Sequence, residues 1–260
     1  MRRSPRHLLV IGAQRCGTTY LTALLEAHRD ITMARPARPE PKVFLSADLT
    51  ARGPDWYRST YFGHARHESL LGEKSTSYLE DPAAPDRARS MLGRDVEVVA
   101  LLRDPVERAV SNWRFSSDHG RETRPLVVAL EENLVAARPW DPAGSSVSPF
   151  AYLERGRYAE QLAPWRAVFP ERLHVLFTAE LIGSERVRRG LYAGLGVDPD
   201  GGATVDPGVV NESGTTAPPL PADLQERLRA YFAAGDAALR EMLGRDLPWP
   251  HHDRREPGDG

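Results

Sequence analysis

The stretch Leu8–Tyr20, LLVIGAQRCGTTY, constrains the fold of this chain more than any other segment. The apolar run before Gly12 predicts a buried parallel strand. Gly12 and Gly17 bracket a tight turn, and Thr18 and Thr19 open a helix with apolar residues on one face. Backbone N–H groups at such a helix N-terminus form a site for an oxyanion. The segment therefore has the outline of a phosphate-binding loop.

This loop lacks the lysine that ATP- and GTP-binding loops carry. Their pattern is GxxxxGK(S/T), in which the lysine reaches the terminal phosphates. Here GAQRCGTT has Thr18 at the lysine position and a cation, Arg15, earlier in the loop. The loop is therefore predicted to bind a phosphate-like group other than ATP. A strand-to-helix turn without a ligand is the alternative.

Length and composition restrict the class of protein. A chain of 260 residues suffices for one α/β domain, and a net charge of −2 excludes a global nucleic-acid-binding charge. No stretch approaches the ~20 apolar residues of a membrane span, and the basic N-terminus with its short apolar run is interpreted as the first strand. The single cysteine, Cys16, excludes an internal disulfide and predicts a cytoplasmic setting.

Lysine is nearly absent from the chain. Among 34 basic residues only Lys42 and Lys74 are lysine, and the richness in arginine, alanine and proline indicates a GC-rich bacterial genome. A lysine that survives in such a chain is a candidate for a site that needs a compact ammonium group. Survival by chance is the alternative.

Hydrophobic patterning predicts strands that alternate with helices. The predicted strands lie at 7–11, 96–102 and 173–178. The predicted helices lie at 18–28, 56–61, 86–91, 104–117, 126–137, 151–169, 184–195 and 222–243, and the rest of 32–64 is predicted to be irregular. This order predicts one P-loop-like α/β domain, residues 1–247, with a central parallel sheet flanked by helices. A disordered tail is predicted at 248–260.

A second candidate phosphate site follows the strand predicted at 96–102. Arg103 stands at the carboxyl end of that strand, where open α/β sheets bind ligands, and Ser111 lies on the next helix. An arginine fork and a hydroxyl suit a phosphate monoester. The alternative is that Arg103 pairs with Asp104 or Glu107.

Together the two motifs resemble those of the PAPS-dependent sulfotransferases, which transfer a sulfuryl group from 3′-phosphoadenosine 5′-phosphosulfate (PAPS). GAQRCGTT resembles the family's 5′-phosphosulfate loop, and RDPVERAVSNW resembles its 3′-phosphate motif, with a serine eight residues after the arginine. Three more segments resemble the heparan-sulfate-type branch and its bacterial relatives: EPKVF at 40–44, GEKSTSY at 72–78 and YLERGRY at 152–158. The likeness covers roughly residues 7–181.

The resemblance implies a role for each matching residue. Glu40 would be the general base, Lys74 and Lys42 would neutralise the transferring sulfonate, and Arg15 would stabilise the leaving phosphate. Arg103 and Ser111 would hold the 3′-phosphate. The loop residues implied to bind the cofactor are Gly12, Arg15, Cys16, Gly17, Thr18 and Thr19. The product would be 3′,5′-ADP, and the reaction requires no metal.

The chain departs from the family's pattern at several positions. Arg15 replaces the loop lysine of heparan-type members, and Lys42 replaces their histidine. A basic cofactor loop near the C-terminus is not evident; NESGTT at 211–216 stands in its place. The resemblance implies a small-molecule, glycan or natural-product acceptor that offers a hydroxyl or amine. Net charge and the lack of a long apolar stretch predict no nucleic-acid partner and no stable membrane insertion. The oligomeric state stays open.

Other interpretations of the site compete with this one. The chain could be a P-loop small-molecule kinase or a non-catalytic nucleotide-binding protein. Lys74 could pair with Glu73 or Asp81, and Cys16 could be a small packing residue. An aromatic group could line an acceptor cleft or belong to the core: Trp56, Tyr57, Tyr61 and Phe62.

Overall fold

The computed structural model describes residues 5–141, 148–206 and 214–250. Its strands are β1 (Arg6–Gly12), β2 (Ile31–Met33), β3 (Leu70–Lys74), β4 (Glu97–Leu102) and β5 (Leu173–Phe177). They form one sheet in the order β2-β3-β1-β4-β5, and all neighbours are parallel. The prediction of an α/β fold with a central parallel sheet flanked by helices is confirmed.

The helices follow in chain order. They are α1 (Thr18–Glu26), α2 (Ala47–Thr50), α3 (Gly53–Tyr61), α4 (Ala84–Leu92), α5 (Pro105–Asp118), α6 (Leu126–Val135), α7 (Tyr158–Val168), α8 (Thr178–Gly183), α9 (Glu185–Gly194) and α10 (Ala222–Leu243). Short 3₁₀ helices lie at Val43–Leu45, Tyr78–Glu80 and Glu154–Gly156.

The chain forms two compact units. The first comprises the described residues of Met1–Leu102 and Gln161–Asn211 and contains the whole sheet. The second comprises those of Arg103–Glu160 and Glu212–Gly260. The domain boundary predicted at 247 stays a prediction.

The sheet of the first unit has its hydrophobic core around β1. Residues 8–11 of this strand are fully buried, because β1 lies between β3 and β4 and both of its faces are covered. One face packs against α1 and α9, through Leu8, Val10, Leu21, Leu24, Leu25, Leu191 and Leu195. The uninterrupted apolar run in the sequence is thus explained by burial on both sides.

The second unit has its own core between α5, α6 and α10. The buried side chains that meet there include Val106, Ala109, Trp113, Leu126, Leu130, Leu224, Leu228 and Phe232. Trp249 is also buried, and its indole N–H donates to Asp236 (3.2 Å). Trp249 lies within the tail predicted at 248–260; residues 251–260 lie outside the described residues, so the tail stays a prediction.

Several elements differ from the sequence prediction, and the helices α2 and α8 were not predicted. β2 and β3 were not predicted. The helix predicted at 151–169 covers only Tyr158–Val168. Tertiary contacts hold the preceding backbone in another conformation: Asn133 accepts from the N–H of Leu153 (2.9 Å), and a Cβ on Gly156 would lie 2.6 Å from the Phe232 ring.

Candidate active site

The loop between β1 and α1 is fixed where it leaves the sheet. A Cβ on Gly12 would lie 2.9 Å from the Cβ of Leu79 and 3.2 Å from the carbonyl oxygen of Thr76. Glycine is needed there because the backbones approach so closely. Ala13 donates its N–H to the carbonyl of Leu101 in β4 (2.9 Å). The glycine loop is thus tied to the neighbouring strand at the carboxyl edge of the sheet.

The second glycine opens helix α1. Gly17 has φ 82° and ψ 21°, the left-handed region that favours glycine, and it offers no side chain to cap the helix. The first turn of α1 contains no acidic residue. The N–H groups of this turn, together with the positive end of the helix dipole, therefore suit an oxyanion.

Thr178, at the start of α8, holds the middle of the loop. Its hydroxyl oxygen lies 2.6 Å from the carbonyl oxygen of Cys16 and 3.0 Å from that of Leu102. Cys16 is fully buried, so any contact with a ligand would involve its backbone. Sequence analysis missed Thr178; the only signal was its position at the end of a predicted strand.

Arg15 adopts an unusual backbone conformation inside the loop. Its φ of 66° lies in the left-handed region, which costs a non-glycine residue about 1–2 kcal/mol. Such residues cluster at functional sites, where the surrounding structure holds them in place. The neighbouring Gln14 amide donates to the hydroxyl of Ser77 (3.4 Å), which anchors this part of the loop.

Glu40 and Lys74, predicted from separate motifs, are in contact. The Nζ of Lys74 lies 3.4 Å from Oε1 of Glu40, and both side chains are largely buried. Thr76 donates its backbone N–H to Oε2 of Glu40 (3.0 Å). Lys74 ends β3 beside Val10 of β1, so the pair lies at the same edge of the sheet as the glycine loop. The structure thus brings Glu40 and Lys74, two of the four residues predicted to be catalytic, into contact.

Glu73, immediately before Lys74, is a fully buried carboxylate. It accepts hydrogen bonds from the hydroxyls of Tyr57 (2.5 Å), Ser75 (2.7 Å) and Tyr78 (2.6 Å). Burial raises the pKa of Glu73; the three hydroxyl hydrogen bonds oppose this rise, and the charge of Glu40 adds to it. Sequence analysis considered Glu73 only as a partner of Lys74 and missed this network.

Two of these hydroxyls hold the segment that follows Glu40. Ser75 accepts from the backbone N–H of Lys42 (2.9 Å), and Tyr78 accepts from that of Phe44 (3.2 Å). Lys42 has φ 53°, so its backbone is also left-handed. The buried Glu73 network therefore reaches the backbone of residues 42–44, next to the candidate base.

Burial shows where two of the aromatic residues lie, and ion pairing shows the partner of Asp81. Tyr57 and Phe62 are buried and in ring contact, so these aromatic residues belong to the core. Asp81, an alternative partner for Lys74, lies instead 3.1 Å from Arg87.

The second predicted phosphate motif belongs to the other unit. Arg103 lies 2.8 Å from Glu107, one helical turn along, as the alternative interpretation held. Asp104 is the N-cap of α5, and Arg229 donates to it (2.8 Å). Ser111 lies on α5, about 9 Å further along the axis than the first residue of the helix. Arg103 and Ser111 therefore share one helix and the turn that precedes it.

Residues 5–141, 148–206 and 214–250 contain neither a metal-binding cluster nor a membrane-spanning helix. Within these ranges no group of three or more His, Cys, Asp or Glu side chains could hold a metal ion. Over the same part of the chain, no helix is long and apolar enough to cross a bilayer. Of the segment 211–216, residues 211–213 lie outside the described residues, and Thr215 donates its N–H to Asp118 (2.8 Å).

Comparison with known proteins identifies the family. Residues 5–178, more than half of the chain, match the family described as "Sulfotransferase domain". The chain belongs to the sulfotransferase family. The match includes the glycine loop, the Glu40–Lys74 pair and the Arg103 motif, so the membership predicted from those residues is confirmed.

Curated sulfotransferase relatives are similar over part of their length. The bifunctional heparan sulfate N-deacetylase/N-sulfotransferase of Drosophila melanogaster is 29% identical over 65% of this chain and 17% of its own. A Homo sapiens protein, bifunctional heparan sulfate N-deacetylase/N-sulfotransferase 3, is 30% identical over 62% of this chain and 19% of its own. Heparan sulfate glucosamine 3-O-sulfotransferase 3A1 of Mus musculus is 28% identical over 62% of this chain and 38% of its own. The chain thus spans less than two fifths of these relatives.

A solved sulfotransferase structure matches nearly the whole chain. The crystal structure of a sulfotransferase from Alicyclobacillus acidocaldarius is 27% identical in sequence, with a TM-score of 0.73. The match covers 95% of this chain and 98% of that one. The sulfotransferase fold therefore extends over both units described above.

Proposed function

We propose that this protein transfers a sulfuryl group from PAPS to a hydroxyl or amine of a small-molecule, carbohydrate or natural-product acceptor. The observation that carries the proposal is the contact of Glu40 with Lys74, at the sheet edge from which the glycine loop leaves. Thr18 stands in this loop where a kinase needs lysine. Family membership supports sulfuryl transfer; the donor, the base and the acceptor are the proposal.

The residues of the glycine loop fit the 5′-phosphosulfate of PAPS. Gly12 allows close backbone approach, and Gly17 opens α1 without a side-chain cap, so N–H groups are directed to an oxyanion. When bound, PAPS supplies the sulfuryl group and a 3′,5′-ADP leaving group. Arg15, Thr18 and Thr19 would contact this end, and the permanent charge of Arg15 would stabilise negative charge that grows on the phosphate.

Arg103 and Ser111 would hold the 3′-phosphate. A guanidinium donates two parallel hydrogen bonds to a phosphate, and a hydroxyl donates one. Arg103 faces the carboxylate of Glu107 (2.8 Å), so its side chain is already in contact with an anionic oxygen. A phosphate carries more charge than that carboxylate and would compete with it for the guanidinium.

Glu40 would take the proton of the acceptor. Its oxygens face three donors, the Lys74 ammonium and the backbone N–H and hydroxyl of Thr76, which fix the carboxylate in place. Lys74 would also neutralise the sulfonate oxygens during transfer, and Lys42 is a second candidate for this task. These ammonium groups would take the electrostatic part that Mg²⁺ plays in phosphoryl transfer.

Composition supports the proposed cellular location and the proposed class of acceptor. We propose a cytosolic protein, because its one cysteine, Cys16, cannot form an internal disulfide. A net charge of −2 supports a small-molecule or glycan acceptor over nucleic acid.

Incubation with radiolabelled PAPS and a panel of hydroxyl and amine acceptors tests the proposal. We expect labelled product, with one 3′,5′-ADP released per transfer. Glu40→Gln should lower turnover about 100-fold or more, as expected for loss of a general base. The control Glu171→Gln, at an exposed glutamate, should leave turnover unchanged. Transfer of phosphate from ATP, with none of sulfuryl from PAPS, would contradict the proposed function.

A further inference from the structure

A cavity of about 550 Å³ lies in the first unit between α1 and residues 33–41. One face of α1 forms one wall, with Thr19, Thr22 and Glu26 in successive turns. The segment that follows β2 forms the opposite wall, and Lys74 at the end of β3 also lines the cavity. The size is typical of a site for a small organic molecule.

Apolar atoms form most of the surface of this cavity, and half of its twelve lining residues have apolar side chains. These apolar residues are Ala23, Met33, Ala34, Pro36, Ala37 and Pro41. Such a lining stabilises a ligand with an apolar body, because binding removes apolar surface of both partners from water. A sugar ring would leave those of its hydroxyl groups that face alanine, proline and methionine without hydrogen-bond partners.

The cavity reaches Lys74, one member of the candidate catalytic pair. Its lining residue Lys74 lies 3.4 Å from Glu40. Its lining residue Thr19 is the second residue of α1, directly after the glycine loop. A hydroxyl group bound at this end would therefore lie beside both the proposed base and the proposed donor loop.

The length of the cavity is set by α1. From Thr19 to Glu26 the helix rises about 10 Å. At the far end Glu26 pairs with Arg35 of the opposite wall (3.3 Å), which joins the two walls. A compound of one or two rings fits in this length, whereas a glycan chain would have to continue past the ion pair.

We propose that this cavity binds the acceptor, and that the acceptor is a compact alcohol or phenol with an apolar body of one or two rings. The inference rests on the proposed function. In the transfer step the acceptor oxygen forms a bond to sulfur while the bond from sulfur to the phosphate oxygen breaks. The acceptor proton passes to Glu40, and 3′,5′-ADP leaves with the electron pair of the broken bond.

Equilibrium dialysis of 2-naphthol against the full chain tests the cavity without any donor. We expect saturable binding. Ala37→Trp and Ala23→Trp, on opposite walls, should each weaken it about tenfold or more by filling the cavity. Ala37 is exposed, so a tryptophan there disturbs no core, and Ala230→Trp on the exposed side of α10 should bind as the unaltered chain does. Absence of saturable binding, or binding that neither tryptophan weakens, would overturn the proposal.

Turnover with PAPS tests the acceptor class. We expect kcat/KM for 2-naphthol to exceed that for a heparan-type tetrasaccharide about tenfold or more. The reverse preference would overturn the acceptor class and leave the proposed function standing. Absence of transfer to every acceptor, with no binding of 3′,5′-ADP, would contradict the proposed function itself, while the dialysis result would still decide whether the cavity binds apolar alcohols.

Discussion

The ammonium group of Lys74 lies 3.4 Å from the carboxylate of Glu40, and the two come from separate segments of the chain. They meet because β3 pairs with β1, which puts Lys74 beside the strand that leads into the glycine loop. Thr76, just after β3, fixes the same carboxylate through its N–H. A proton acceptor and a cation are thus held together at the loop edge of the sheet.

Replacement of Lys74 by alanine should remove the cation that contacts Glu40. We expect kcat to fall about 100-fold or more, the usual effect of losing one charge-stabilising donor. Affinity for 3′,5′-ADP should change little, because this product lacks the sulfonate. Lys42→Ala tests the second candidate for the same task, and Arg94→Ala, which removes an exposed cation outside the site, is the control that should leave kcat unchanged. Steady-state kinetics and calorimetric titration would measure both quantities; full turnover by Lys74→Ala would contradict the role assigned to this lysine.

A methyl group at Gly12 should disturb the loop. The added Cβ would lie 2.9 Å from that of Leu79, so one of the two backbones must move. We expect Gly12→Ala to lower the free energy of unfolding by about 1–3 kcal/mol and to abolish stabilisation by 3′,5′-ADP. Gly183→Ala is the control, because nothing lies within 4 Å of its Cβ position. Thermal unfolding with and without the nucleotide would show both effects, and a Gly12→Ala protein that responds normally would contradict them.

The strands that sequence predicts best are those in which consecutive apolar residues are buried on both faces of the sheet. β1 and β4 are covered on both faces, so each contains a continuous apolar run, at 8–11 and 98–102. β3 escapes prediction because its buried Glu73 is satisfied by hydroxyls from three other residues, a pairing that no local pattern reveals. β2 has only three residues, too few for a period to be recognised.

In the candidate site, too, sequence predicts the features that depend on local pattern and misses those that depend on tertiary contacts. Spacing predicts the two glycines of the loop, and the left-handed conformation of Gly17 depends only on its own turn; the close approach of Leu79 and Thr76 to Gly12 depends on the fold. The contact between Glu40 and Lys74 depends on the pairing of β3 with β1, so sequence identifies the residues but not their partnership. Thr178 follows β5, and it contacts the loop only because β5 lies beside β4 and β4 beside β1 in the sheet. The sequence does not reveal this strand order, so Thr178 was missed.

The buried carboxyl of Glu73 should make stability fall as pH rises. Its pKa is raised by burial, so the folded chain retains this proton above the pH at which the unfolded chain, with a pKa near 4.5, loses it. Urea unfolding from pH 4.5 upward should show the chain losing stability relative to Glu73→Gln, by up to about 1.4 kcal/mol per pH unit. A difference between the two proteins that does not vary with pH would contradict this assignment.

Glu122 in the second unit should have the opposite effect. Burial opposes ionisation, but hydrogen bonds from Arg124 and Tyr152 outweigh it and lower the pKa of Glu122 to about 2. Its contribution is present above pH 4.5 and lost as pH falls toward about 2, a change of up to about 3 kcal/mol. Acid unfolding should therefore show Glu122→Gln losing less stability over this window. An equal loss in both proteins would contradict the lowered pKa.

The proposed 3′-phosphate site should distinguish nucleotides. Arg103→Ala and Ser111→Ala should each weaken 3′,5′-ADP about tenfold, through loss of a charge-assisted hydrogen bond, and leave 5′-AMP unchanged. Arg166→Ala, at an exposed arginine on α7, is the control. Calorimetric titration measures each affinity, and equal weakening of both nucleotides would contradict the assignment.

Binding of 3′,5′-ADP compared with ATP–Mg²⁺ tests the central claim most directly, since Thr18 occupies the position of the kinase lysine. At saturation 3′,5′-ADP should stabilise the chain by a few kcal/mol, with a clear rise in Tm. ATP–Mg²⁺ should leave Tm nearly unchanged. Stabilisation by ATP–Mg²⁺ without stabilisation by 3′,5′-ADP would contradict a PAPS-dependent sulfotransferase.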